Sequence, residues 1–179
     1  MLLEWKLASA SVRYVASAIN GYTAYSRESA KEDEKAVRRK IINEMDKTRN
    51  NLKNSLEYAR ENGDKETSKR IRKVLDELDM FTNEVDLSGA GGKYPFFDPK
   101  YSIQKEDILK IADLDKFILE NCVKVTETCK ELQRNILQNK TQDLPYEYGH
   151  LRQSITNIRN KYQDRLDYIK HIEPKEESD

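Results

Sequence analysis

Apolar side chains recur along most of this chain at steps of three and four residues, a spacing that places them on one face of an α-helix. Five segments show this spacing, and none shows the period-two alternation of a half-buried strand. The longest run continues in a nearly unbroken heptad pattern: Ile108, Ile111, Leu114, Ile118, Cys122, Val125, Cys129, Leu132 and Ile136. The pattern predicts an all-α fold, an antiparallel bundle of four to five long helices with coiled-coil-like heptad seams.

Short breaks between the apolar stripes set the expected organisation. Ser29 and Glu32 form a capping box that starts the second helix. Asn62-Gly63 ends that helix, because glycine takes the left-handed cap conformation without steric cost. We expect a single domain over 1–172 and a disordered acidic tail over 173–179. Its expected parts are an Ala/Ser-rich N-terminal helix at 1–28, a helical hairpin at 30–86, a loop at 87–103 and a second hairpin at 104–172.

Charge and composition restrict the class of partner and the compartment. Lys plus Arg and Asp plus Glu number 32 each, so the formal net charge is zero and any attraction to nucleic acid or anionic lipid must come from a local patch. Cys122 and Cys129 are about 10.5 Å apart along one helix, too far for a mutual disulfide. We expect them to be buried thiols in a reducing compartment. A cytoplasmic location is expected, because no segment is long and apolar enough to span a membrane.

The 87–103 loop is the first candidate for a contact site, because loops of this length in compact domains are often functional. Its aromatic side chains carry too much apolar area to lie in water without cost: Tyr94, Phe96, Phe97 and Tyr101. They either plug one end of the bundle or present Phe96 or Phe97 to a partner as an anchor. Trp5, on the predicted first helix, is a further candidate for contact with a protein partner.

Two short motifs resemble binding sites but lack essential parts. Gly89-x-Gly91-Gly92-Lys93 resembles part of a phosphate-binding loop, but no Ser or Thr follows the lysine and a helix precedes the loop. Glu147-x-x-His150 has the spacing used in di-iron helix bundles, but the second copy and two further Glu ligands are missing. We therefore expect neither a metal nor any other cofactor.

Arg165 and His171 form the one candidate catalytic pair. Their spacing resembles the short Arg/His ribonuclease motif of the helical HEPN domains, and the resemblance covers these two residues alone. It implies RNA cleavage, with the histidine moving a proton and the arginine stabilising phosphate charge. The alternative is an arginine on a charged surface and a histidine in the last helical turn.

A basic run early in the second predicted helix gives the candidate nucleic-acid contacts: Lys35, Arg38, Arg39 and Lys40. The acidic residues interleaved with this run favour a solvated face with i,i+4 pairs instead. A nucleic-acid-binding stripe would show fewer acids and some aromatic side chains. The first helix has an apolar face that could also lie on a membrane surface, although interfacial helices are usually richer in Lys and Arg.

These patterns favour a non-enzymatic scaffold, adaptor or assembly protein that acts through protein–protein contacts. Its partner could be a second copy of the chain, giving a homodimer or a larger assembly. The alternative is a nucleic-acid-binding or RNA-processing helical protein. It would use the basic run on the second helix or the Arg165/His171 pair.

Overall fold

The computed structural model describes residues 8–26, 28–89, 94, 96, 103–140 and 142–172. Five helices are described in this part of the chain, and no strand occurs in it, so the all-α prediction is confirmed. We number the helices α1 to α5 in chain order: Ala10–Ala18, Ala30–Glu61, Lys65–Ser88, Lys105–Leu137 and Leu144–His171.

The chain divides into two compact units. Unit 1 comprises Met1–Lys40, Asp86–Leu119 and Asn160–Asp179, and unit 2 comprises Ile41–Val85 and Glu120–Arg159. Helices α2 to α5 each contribute residues to both units. The single domain expected over 1–172 stays a prediction.

The predicted apolar stripes form the interior of both units. All nine stripe residues of α4 are buried, and Ile118 and Cys122 are completely inaccessible to solvent. Most apolar positions along α2 and α5 are buried as well. The apolar stripe predicted on α3 is buried except for Leu75, which is partly exposed: Ile71, Val74, Leu75, Leu78, Phe81 and Val85. Both cysteines are free thiols in the interior, as expected. The knobs-into-holes packing of a true coiled coil stays a prediction.

The turn between α2 and α3 has the geometry that its sequence predicts. Gly63 takes the left-handed conformation with φ of +70°. Asp64 caps α3, because its Oδ1 accepts a hydrogen bond of 2.9 Å from the backbone N–H of Thr67. The chain reverses here, so that Arg49 of α2 meets Asp79 of α3 with 3.0 Å between Nε and Oδ1.

The N-terminal helix is shorter than the 1–28 predicted for it. Helix α1 ends at Ala18, and the residues from 19 onwards do not continue it, while residues 1–7 lie outside the described part of the chain. Glycine at position 21 takes φ of +80°, a conformation outside the α-helix. The helix prediction is therefore wrong for residues 19–26, whereas Ala10–Ala18 of the Ala/Ser-rich stretch is helical.

Asp33, near the start of α2, gives the physical reason for this turn. Its carboxylate accepts hydrogen bonds from the backbone N–H groups of Thr23 at 3.0 Å and Tyr25 at 2.7 Å. Ala24 and Tyr25 both have φ of +53°, which costs energy for residues with a Cβ. Charge-assisted bonds to a buried carboxylate offset that cost and outweigh helical propensity here.

The other predicted boundaries differ from the structure by one or two residues. Helix α3 extends to Ser88, one residue beyond the predicted start of the loop at 87. Pro145 stands in the first turn of α5, where its missing N–H removes no helical hydrogen bond. The acidic tail at 173–179 lies outside the described residues.

Ile118→Ala should lower the free energy of unfolding by about 2–5 kcal/mol, because it removes buried apolar surface and leaves a cavity. Urea denaturation followed by circular dichroism measures the change. Lys124→Ala, an exposed position on the same helix, is the matched control and should change the value by less than about 0.5 kcal/mol. Equal midpoints for the two variants would contradict the burial of Ile118.

Candidate functional site

The structure places Arg165 and His171 in different environments. The Arg165 side chain is 0% exposed, whereas His171 is on the surface, with its Nδ1 2.7 Å from the backbone oxygen of Asp167. A ribonuclease pair needs both groups to reach the phosphate, and the buried guanidinium has no such access. The alternative of an arginine on a charged, solvated face is also wrong for Arg165.

Arg165 instead lies at the centre of a buried ionic network in unit 1. Its Nε pairs with Asp115 of α4, and its Nη2 pairs with Glu34 of α2. The same Nη2 donates to the Tyr25 hydroxyl at 2.7 Å, and that hydroxyl donates to Asp115. Burial alone would lower the pKa of Arg165, but the two carboxylates raise it well above its ordinary value. The Arg165 guanidinium group therefore stays charged in the interior, where it binds α2, α4 and the segment before α2.

The aromatic residues of the predicted 87–103 loop are only partly described. Phe96 is 1% exposed and packs edge-on against Tyr25, with ring centroids 5.3 Å apart. It belongs to a buried cluster with Ile111 and Ile169, and Tyr94 packs against the same cluster. For Phe96 this environment is that of a core plug. Phe97, Tyr101 and Trp5 lie outside the described residues.

The basic run on α2 does not form one continuous exposed surface. Lys35 and Arg39 are exposed, whereas Arg38 and Lys40 are half-buried. Arg38 Nε lies 3.5 Å from Glu34 Oε1, and its guanidinium group packs against Gly89. Arg38 is therefore engaged within the protein, and Lys40 is only partly accessible to a partner.

A second group of cations, which was not predicted from the sequence, lines a groove in unit 2. The groove has a volume of about 390 Å³ and is lined by side chains of α3 and α5. Arg70 and Lys73 come from α3, and Arg152 and Arg159 come from α5. Glu77 is the only acid among its lining residues, so four cations face one carboxylate. We call this surface the basic groove.

Glu77 orients the two arginines of α5. Its buried carboxylate lies 3.3 Å from Arg159 Nη1 and 3.7 Å from Arg152 Nη2. Glu84 also binds Arg159, through two contacts of 2.9 Å to Nε, and this bonding raises the pKa of Arg159. Arg152 is beyond hydrogen-bonding distance of Glu77, and Lys73 has no acidic partner in the described part of the chain. Arg152 and Lys73 are thus the groove cations with the most capacity to bind an external anion.

The sequence around the groove is poor in acid on both helices. Residues 65–73 of α3 contain five cations and one acid, Glu66, which pairs with Arg70 at 3.0 Å. Residues 148–159 of α5 contain no Asp or Glu, and polar side chains such as Gln153 and Thr156 line the groove. Phosphate oxygens are bound in proteins by these side-chain types together with Lys and Arg.

Two aromatic rings are exposed on the first turns of α5. Tyr146 is 67% exposed and lies edge-to-face with His150, with ring centroids 4.2 Å apart and planes at 82°. His150 is exposed too, so the Glu147-x-x-His150 motif places its imidazole against a tyrosine on the surface. The groove residues nearest to these two rings in sequence are Tyr148, Gly149 and Arg152.

The basic groove has a sequence signal, but only in two separate segments. The cation excess at 65–73 and the absence of acid at 148–159 are both visible in the sequence. The pairing of the two segments is not visible in the sequence, since it depends on which helices lie side by side.

The burial of Arg165 also had a signal in the sequence. Arg165 stands three residues after Tyr162 and four before Ile169, within the apolar stripe of α5.

No family model, no curated protein and no solved structure matches this chain. No helix in the described ranges is long and apolar enough to cross a membrane. Within the same ranges, no group of three or more His, Cys, Asp and Glu side chains could hold a metal ion. Because no relative is known from these comparisons, the candidate site rests on the side chains of this chain alone.

Arg165→Met should lower the free energy of unfolding by about 3–5 kcal/mol, because it leaves the carboxylate of Asp115 buried without its cation and removes one of the two arginines beside Glu34. Arg152→Met is the matched control on the surface of the same helix and should cost less than about 1 kcal/mol. Adding Asp115→Asn to Arg165→Met should recover part of the loss, since one buried charge is removed. Urea denaturation at neutral pH measures all four proteins, and equal losses for the two arginine variants would contradict this role.

Phe96→Ala should lower the free energy of unfolding by about 3–5 kcal/mol if the ring fills the core of unit 1. Leu87→Ala is the control, because that side chain is 71% exposed near the same end of α3. Thermal and urea denaturation of the two variants give the comparison. A Phe96→Ala protein with wild-type stability would show that the ring is not a plug.

Proposed function

We propose that this chain is a nucleic-acid-binding protein whose basic groove holds the phosphodiester backbone. The observation that carries the proposal is the convergence of Arg70, Lys73, Arg152 and Arg159 on one groove, where Lys73 has no acidic partner among the described residues and Arg152 lies 3.7 Å from Glu77. Neutralising several phosphates releases condensed counterions, and this gives affinity without sequence recognition. The zero net charge of the chain permits such binding, because a local patch is sufficient to attract a polyanion.

The groove suits nucleic acid better than a membrane or an acidic protein. The side chains that line it are mainly cationic or polar, whereas an interfacial helix presents a broad apolar face to lipid. Amide and hydroxyl groups beside arginines match the donors that proteins use for phosphate and sugar. The acid-poor face with nearby aromatic rings is the composition expected of a nucleic-acid-binding surface.

The scaffold or adaptor role expected first from the sequence stays a second proposal. It would be carried by exposed apolar side chains, of which Leu87 and Leu137 are the most accessible aliphatic examples. Single exposed apolar residues are common on protein surfaces, so they support a partner site less strongly than the clustered cations do. Self-association through the N-terminal segment likewise stays a prediction.

The proposal predicts salt-dependent binding of a labelled oligonucleotide, measured by fluorescence anisotropy with the full chain. Lys73→Glu combined with Arg152→Glu should weaken binding at least about tenfold, because two phosphate contacts become repulsive. The slope of log affinity against log salt should fall by about two, one for each lost contact.

Lys35→Glu combined with Arg39→Glu is the matched control, with the same charge change on the exposed part of α2. It should bind nearly as well as the wild type. Equal weakening by both pairs would mean that net charge rather than the groove controls binding. A wild-type chain that does not bind the oligonucleotide would overturn the proposed function. Displacement of the labelled oligonucleotide by polyglutamate as effectively as by unlabelled oligonucleotide would also overturn it.

A further inference from the structure

The exposed ring pair on α5 has no packing role that accounts for its position. Tyr146 and His150 are four residues apart, on the same face of the helix, and both are exposed. Their edge-to-face contact holds the two ring planes nearly at right angles. An exposed aromatic pair costs free energy in water, because much of its apolar area stays hydrated.

Gly149 joins the ring pair to the basic groove. It lies between Tyr146 and Arg152 in the sequence and lines the groove itself. Glycine inside a helix costs about 1 kcal/mol relative to alanine. Neither strain nor crowding requires it here: its φ is not positive, and an added Cβ would have no neighbouring atom within 4 Å. Its effect is to keep the helix surface open between the rings and the cations.

We propose that the ring pair stacks an unpaired base, so that the ligand of the groove is single-stranded nucleic acid. This inference rests on the proposed function and specifies its substrate. Single strands expose the faces of their bases, and aromatic side chains beside a cationic groove bind them without regard to sequence. Bases inside a duplex are already stacked on one another and cannot reach the rings. The phosphates would lie along Arg152 and Lys73 while a neighbouring base contacts Tyr146.

The test compares two single-stranded probes of equal length, an oligouridylate and an abasic ribose-phosphate strand, with a duplex as a third probe. The wild-type chain should bind the oligouridylate about five- to 140-fold more tightly than the abasic strand, the range expected for stacking one base. It should also prefer the oligouridylate to the duplex. Tyr146→Ala should remove the preference for bases and leave the slope of log affinity against log salt unchanged, because the phosphate contacts remain.

Two further variants separate stacking from a structural role. Tyr146→Trp should retain or increase the preference for bases, since a larger ring stacks as well or better. Gly149→Leu should keep the helix intact, as circular dichroism would show, and weaken oligouridylate binding by covering the surface between rings and groove.

The outcomes distinguish this inference from the proposed function. Equal affinity of the wild type for the oligouridylate and the abasic strand overturns base stacking and leaves phosphate binding by the groove intact. Tighter binding of the duplex, or a Tyr146→Ala variant that weakens both single strands equally, also overturns it. If the wild type binds none of the three probes, both proposals fail.

Discussion

The buried guanidinium group of Arg165 is the constraint on which the arrangement of unit 1 depends. A cation removed from water must be surrounded by oxygen atoms, because an unpaired buried charge costs several kcal/mol. Glu34 from α2, Asp115 from α4 and the Tyr25 hydroxyl supply oxygen atoms to its Nε and Nη2, while Nη1 has no hydrogen-bond partner among the described residues. Apolar contacts tolerate exchanges of similar volume, whereas this network accepts only one geometry. The relative placement of these elements is therefore fixed by charge as much as by burial.

Helix α5 uses arginine in three different environments, and its helical period assigns them. Arg165 follows the apolar stripe into the interior, whereas Arg152 and Arg159, seven residues apart, share a face that borders the basic groove. Arg159 is held by two glutamates, and Arg152 approaches one of them at a longer distance. Arg165 is buried and held by its carboxylates, Arg159 is held at the surface, and Arg152 is held least closely. In the same order, the role changes from structural support to the proposed binding of phosphate.

Helix content and interior positions could be predicted because apolar periodicity is a local property of the chain. The stop at Gly63 could also be predicted, since the left-handed turn needs no distant partner. The end of α1 could not, because the carboxylate of Asp33 acts from the next helix. The candidate site could not be predicted for the same reason. The cation-rich part of α3 lines a basic groove only because the acid-free part of α5 lies beside it.

The spacing between Tyr162 and Arg165, both in the part of α5 that belongs to unit 1, has a consequence for how the length of this chain can vary. One residue inserted between them would rotate everything beyond it by roughly 100° about the axis of α5. The rotation would turn Arg165 away from Asp115 and Glu34 and bring a neighbouring polar residue towards the interior. Insertions and deletions should therefore be better tolerated at 138–140, where the backbone leaves α4, than within this part of α5. The number of residues between Tyr162 and Arg165 is thus as restricted in unit 1 as the identity of the residues themselves.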